Sequence, residues 1–318
     1  MRVRSAVAFA LLMSASVAVL GPAAAQRAPT TGSASASATP PAATPAPAPA
    51  PAPLAAQPVP KCTNPNALGV SRTVEIDTAG GPGFGGEHFK QHDFLRNKEV
   101  VLTFDDGPWP TTTAVLKALA DECVRATFFP IGKHATYYPE ILKQIYADGH
   151  TIGSHTWSHA NLERIKNVDD AKAEIEKGIS AVAMSAGVQT APFFRFPALR
   201  HPPALVTYVG ERNLGIFSTD MDSFDFKMRK PEQVVNAVMA KLKKYGKGIV
   251  LMHDFQTATS HAVPDLLVQL KAEGYKIVHM RAKDPVRTLP EFDEAVKKDQ
   301  KLPTVSTRPT SSVVRTIE

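Results

Sequence analysis

The chain has 318 residues, 43% of them hydrophobic and 21% charged, enough to bury a sizeable core. Its formal net charge of +6 is a mild basic excess without a clustered Lys/Arg stripe. That pattern suits an acidic envelope polymer and argues against nucleic acid as a partner.

Arg2 and Arg4 precede a mostly apolar run from Ala6 to Leu20, and Ala23 and Ala25 stand at the small-residue positions of a cleavage site. Residues 1–25 therefore read as a signal peptide, and the chain is expected to be exported to the periplasm, the cell envelope or the medium. The alternative, an uncleaved anchor, needs roughly 20 apolar residues and the run is shorter, so no stable membrane anchor is expected after cleavage. Residues 26–60 are almost all Pro, Ala, Thr and Ser, too poor in large apolar side chains to offset the entropy of ordering, and read as a disordered tether or spacer. Cys62 and Cys123 are the two cysteines. In an exported chain they are candidates for a disulfide; otherwise Cys123 is a small buried apolar residue at a helix end.

After a pre-barrel segment, 61–94, strands are predicted at 99–104, 125–129, 150–153, 193–196, 214–219, 249–253 and 276–279, with helical patterns between most of them. Pro231 and Gly246 bracket one helix, with Val234, Val235, Val238, Met239 and Leu242 as its apolar face; Pro139 and Gly149 bracket another. Alternating strands and helices over 95–290 imply parallel βα units, and about seven of them suggest a (β/α) barrel, with 291–318 as a loose tail. The loops after barrel strands build the active site. Asp105 and Asp106, His155, Arg195, Asp222 and Asp225, and His253 all fall at such positions.

Two patterns among these carry chemistry. In Thr103-Phe104-Asp105-Asp106-Gly107-Pro108, adjacent carboxylates at a strand end point differently, so one could bind a metal while the other moves a proton. Asp and Gly are also ordinary turn residues, which leaves a plain turn as the competing reading. His155-Thr156-Trp157-Ser158-His159 spaces two imidazoles at i and i+4, one helical turn apart, on a helix or tight helical loop. Alone such a pair is commonly structural; with Asp106 it would complete three ligands and leave a position open for water, as in catalytic zinc sites.

These motifs, with Arg195 ahead of Pro197, Asp-Ser-Phe-Asp-Phe at 222–226 and Leu251-Met252-His253, resemble in order and spacing the polysaccharide deacetylase family, also called the NodB-homology domain or carbohydrate esterase family 4. The resemblance covers roughly residues 95–282 and implies a distorted (β/α)7 barrel. It implies a general base at Asp105, metal ligands at Asp106, His155 and His159, and a general acid at His253. Arg195 would hold the base, and Asp225, ahead of Asp222, would orient the acid. Leu251 would line the acetyl-methyl pocket. The cofactor implied is one divalent ion, zinc by preference, and the substrate an N-acetylated glycan: peptidoglycan, a chitin-like oligosaccharide or an exopolysaccharide.

Two positions depart from the family pattern. Where Arg-Pro-Pro-Tyr-Gly is usual, this chain has Arg195-Phe196-Pro197-Ala198-Leu199, so Ala198 keeps a backbone N–H for an oxyanion but no ring for the sugar. Phe226 stands where Trp is frequent and keeps an aromatic wall. The glycine-rich stretch 80–86 lacks the Lys-Ser/Thr of a phosphate loop and reads as a flexible loop. His88, His92, His134, His201, His261 and His279 are expected to be structural or solvated. Competing functions are an O-acetyl esterase on acetylated xylan, a metal-free cyclic amidase, and a catalytically silent wall-binding domain. The complete Asp/His/His set opposes the last two.

Overall fold

The computed structural model describes residues 61–300. The expected signal peptide (1–25), the Pro/Ala-rich linker (26–60) and residues 301–318 lie outside the described residues. In chain order the elements are β1 (Arg72–Ile76), β2 (Gly83–Phe84), β3 (Glu99–Asp105), α1 (Thr112–Asp121), β4 (Thr127–Phe129), α2 (Gly132–Tyr137), α3 (Pro139–Ala147), β5 (Thr151–Ile152) and α4 (Val168–Ala186). There follow β6 (Phe193–Phe194), α5 (Pro203–Glu211), β7 (Gly215–Phe217), β8 (Met221–Asp222), α6 (Pro231–Tyr245), β9 (Gly248–His253), α7 (Thr257–Ala272), β10 (Lys276–Ala282) and α8 (Pro290–Gln300).

All pairings between these strands are parallel. β3 lies between β9 and β4, β5 follows β4, and an isolated bridge from Ser154 to Phe194 carries the sheet on to β6 and β7. This is the parallel α/β arrangement of a distorted (β/α)7 barrel, in which crossover helices cover the outside. Strand β3 is buried along its whole length, as its run of Val, Leu and Phe requires.

Side-chain alternation along β3 decides what points where. Val100, Leu102 and Phe104 pack outward with Val115, Leu119, Val263 and Leu267 of the helices. Val101 has the opposite parity and joins an inner cluster with Phe129, Phe217, Ile249 and Met280. Each such side chain withdrawn from water contributes about 1.5–3 kcal/mol. Thr103 and Asp105 share the parity of Val101, so the strand aims its terminal carboxylate inward. The same alternation along β9 gives Leu251 and His253 the parity of Ile249, and the register sets Asp105 beside His253.

The helix punctuation follows the sequence. Pro231 opens α6, and Gly246 closes it with φ 79°, a left-handed conformation that glycine adopts without strain. Cys62 and Cys123 are bridged, with α-carbons 5.6 Å apart, which ties the start of the described chain to the residues after α1.

Two expectations need correction. The pre-barrel segment is part of the sheet: β1 pairs with β10 and β2 with β7. The expected tail is helical as far as Gln300; Val296 is fully buried and α8 packs on α4, so tertiary burial orders a segment whose sequence is mostly polar.

Candidate active site

The expected site residues converge on one cavity of about 490 Å³ at the C-terminal ends of the strands. Its walls include Asp105, Asp106, His155, His159, Ala198, Phe226, Leu251 and His253. Arg195 and Asp225 lie just behind, both fully buried.

Asp105 ends β3 on the inward parity. Its Oδ1 accepts from Arg195 Nη1 at 2.7 Å, and its Oδ2 faces His155 Nε2 at 3.9 Å. The guanidinium is held by Thr103 Oγ1 and by the carbonyls of Phe217 and Ser218, with its Cζ 4.3 Å from the Phe129 ring centre. A buried cation with this many acceptors has one position open to it, so Arg195 fixes Asp105 rigidly. Burial pushes the Asp105 carboxyl above its usual range, and the charge of Arg195 works against that rise.

Asp106 takes a left-handed turn, φ 73°, which swings its side chain away from that of Asp105. Its Oδ1 lies 3.6 Å from both His155 Nε2 and His159 Nε2, and it is a buried oxygen without a hydrogen-bond partner. Ligand atoms of Asp106, His155 and His159 all fall within 4.8 Å of one another. His155 Nδ1 donates to the carbonyl of Arg195 at 2.7 Å, which leaves the Nε2 lone pair facing Asp106. Burial, with the neighbouring His159, lowers the His155 pKa to about 3, so the ring is neutral and available as a ligand. An orphaned carboxylate oxygen between two imidazole nitrogens fits a divalent cation, which would satisfy all three groups together.

The i, i+4 spacing predicts that a helical turn joins the two histidines, and there is no helix over 155–159. Thr156 and His159 have φ of 65° and 57°, and Glu174 on α4 holds the loop through the N–H groups of Trp157 and Ser158. The rings still meet, 4.9 Å apart, because α4 braces an irregular loop.

His253, at the end of β9, has its Nδ1 2.6 Å from Asp225 Oδ1, and its backbone N–H donates to Asp225 Oδ2. Thr259 Oγ1 also donates to that second oxygen. Asp222 instead accepts from the N–H of Phe224. Burial works against charge on His253, but the hydrogen bond and charge of Asp225, with Asp106 and Asp105 adding, push its pKa up to about 9. The Phe226 ring stands edge-on to His253 at 5.7 Å, and Ala198 is exposed at the rim in a left-handed conformation, φ 52°.

Residues 94–215 match the family described as Polysaccharide deacetylase. The chain is 33% identical over 160 residues to a chitooligosaccharide deacetylase of Azorhizobium caulinodans, a match covering 49% of this chain and 73% of that one. This chain belongs to the polysaccharide deacetylase family. A peptidoglycan-N-acetylglucosamine deacetylase of Listeria monocytogenes is 34% identical over 186 residues, 57% of this chain but 38% of that longer protein. A solved peptidoglycan deacetylase of Bdellovibrio bacteriovorus superposes with a TM-score of 0.62 at 34% identity, covering 73% of this chain and 65% of that one.

Within this polysaccharide deacetylase fold, four residues near the site were not singled out by motif. His134, expected to be structural or solvated, donates from Nδ1 to the Asp106 carbonyl at 2.6 Å and packs beside Trp109. Asp254 is fully buried, accepts from Gly107 N–H and Thr112 Oγ1, and so clamps the turn that carries Asp105 and Asp106. Burial, opposed by Thr112, pushes its pKa up to about 7. The only sequence signal for Asp254 is its position next to His253.

Glu87 and His88 also line the cavity. They arrive on the glycine-rich stretch, which is not the free loop its composition suggests. Gly85, φ 97°, lies so close to the end of β7 that a Cβ there would stand 2.5 Å from Thr219 N. Nothing larger than glycine fits that approach.

Proposed function

We propose that this chain is a metal-dependent deacetylase of N-acetylated amino-sugar polymers, exported to the cell envelope. The observation that carries this reading is the orphaned Asp106 oxygen between His155 and His159, flanked in one cavity by a buried Asp105–Arg195 pair and a His253–Asp225 pair. Its relatives' activities on peptidoglycan and chitin-type glycans support the substrate class. The export reading rests on the charged and apolar start of the sequence together with the cell-wall polymers those relatives act on.

Asp106, His155 and His159 would hold the ion, and one carboxylate with two imidazoles favours zinc. When bound, a divalent ion supplies Lewis acidity, which polarises an amide carbonyl and makes water nucleophilic near neutral pH. The remaining work falls to the chain. Asp105, with one oxygen tied to Arg195 and the other facing the ligand set, takes the proton of the attacking water; its elevated basicity favours that transfer. Protonated His253 donates to the departing nitrogen, and Asp225 keeps the imidazole charged and aimed. The Ala198 N–H is the donor for the developing oxyanion. Leu251 and Phe226 shape the acetyl and sugar walls.

Acetate release from a panel of N- and O-acetylated glycans, with and without chelator, tests this reading. Release from N-acetylated glycans that stops with chelator and returns with zinc is expected. No release from any N-acetylated glycan by the metal-loaded protein would overturn it.

A further inference from the structure

A second cavity of about 500 Å³ adjoins the catalytic one and shares Glu87, Asp222 and Phe224 with it. Tyr245, 54% exposed, lines only the second cavity, and Phe224, which lines both, is 41% exposed. Exposed aromatic rings along a polar channel are surfaces on which pyranose rings stack, so the pair of cavities forms a groove longer than one sugar.

The charges along this groove are unevenly committed. Lys247 is paired with Asp93 Oδ2 and the Leu95 carbonyl. Lys241 donates to the Asp222 carbonyl and lies over the Phe224 ring. Asp220 is spent on the N–H groups of Gly86 and Ile249. The Glu87 carboxylate has no partner among the described residues, although its backbone is fixed by a hydrogen bond from its N–H to the Thr219 carbonyl at 3.0 Å. The close approach of Gly85 to β7 places that uncommitted negative charge where the two cavities meet. Glu87 precedes residues 94–215, the stretch matched to the family.

Resting on the deacetylase reading, we propose that the second cavity is the subsite for the sugar next to the one being deacetylated, and that Glu87 makes it select a neighbour already carrying a free ammonium group. An acetamido sugar is neutral, whereas a deacetylated one carries an amine that is cationic near neutral pH. The uncommitted carboxylate favours the cation, against the opposing field of Lys227 and Lys241, whose ammonium groups lie over the Phe224 ring at 4.7 and 4.4 Å. The enzyme would then extend a deacetylated stretch along a glycan, each product becoming the preferred neighbour of the next substrate.

The test uses the full-length protein with β-1,4-linked N-acetylglucosamine tetramers, fully acetylated or with a single free amine at each possible position. Dissociation constants by calorimetry and acetate release are measured side by side for wild type and Glu87→Gln. At low salt, at least one mono-amine isomer should bind wild type about threefold or more tighter than the fully acetylated tetramer. The preference should shrink with added salt and fall to near one in Glu87→Gln. Comparing two ligands on the same variant cancels any general loss of binding. Equal affinity of all tetramers for wild type, or an unchanged preference in Glu87→Gln, overturns the proposal while acetate release still stands. A charge preference without acetate release would sink the deacetylase reading and leave the subsite in place.

Discussion

Strand β5 has a buried histidine near each end, and the two differ in what surrounds them. His150, just before the strand, accepts from the Ala126 N–H, touches the Phe128 ring, and has its pKa lowered to about 3 by burial, with His279 and Arg125 adding. His155, just after it, is lowered to the same value by burial, yet its Nε2 faces the carboxylates of Asp105 and Asp106. Burial alone silences an imidazole; only the company of carboxylates turns it to chemistry. His253 makes the point from the other side, since desolvation works against its charge too and Asp225 still raises it to about 9.

The contrast is broken most severely by neutralising the carboxylates at the catalytic end. Asp106→Asn should release the metal and abolish acetate release, whereas Asp105→Asn should remain metal-replete and lose about 10²- to 10⁴-fold in rate. Metal content and acetate release measured together on both variants decide this; an emptied site in Asp105→Asn with a filled one in Asp106→Asn would exchange the two roles.

At the other end, the disulfide shares a cavity wall with Arg125 and His150. It closes a loop with a sequence separation of 61, so Cys123→Ser should cost about 2–4 kcal/mol by denaturant unfolding. The folded variant should keep its rate. A variant of unchanged stability, or one that is folded and inactive, would show the ends to be less separate than their chemistry suggests.

His253 also gives a pH signature, best read in chelator-treated protein. An imidazole raised from its ordinary value to about 9 stabilises the fold fully below about pH 6.5, and that stabilisation is lost as pH rises through 9. A shift of this size is worth on the order of 3 kcal/mol. Urea unfolding between pH 6 and 10 should therefore show falling stability in wild type and a flatter profile in Asp225→Asn. Equal slopes would mean that Asp225 does not sustain the charge.

The smallest effect belongs to His150→Leu, which removes the acceptor of the Ala126 N–H and should cost about 1–3 kcal/mol with activity retained. The sign of the linkage is opposite here. A depressed imidazole gives its stability fully above about pH 6.5 and loses it as pH falls towards 3, so the variant should flatten the acid side of the stability profile. An acid limb identical to wild type would contradict a neutral His150.

Much of this architecture is local, and local features are readable in a linear sequence. The β-branched runs of β3 and β9, the Pro231 and Gly246 that bound α6, and the inward parity of Asp105 and His253 follow from periods of two and 3.6 residues. The motifs pointed to the proposed ligand set because Asp106, His155 and His159 each lie within a residue or a turn of a strand end. What depends on distant partners had no such period. Arg195 meets Asp105 across 90 residues, and Asp225 rather than Asp222 takes His253 across 28 because β8 pairs with β9 in one register. The helical reading of His155 and His159 failed because α4 braces that loop, and α8 looked like a tail because its burial comes from α4 rather than from its own pattern. The glycine-rich stretch shows the division most clearly. Its composition allowed any path, and only contact with the end of β7, about 130 residues further along the chain, excluded all but the one that brings Glu87 to the site.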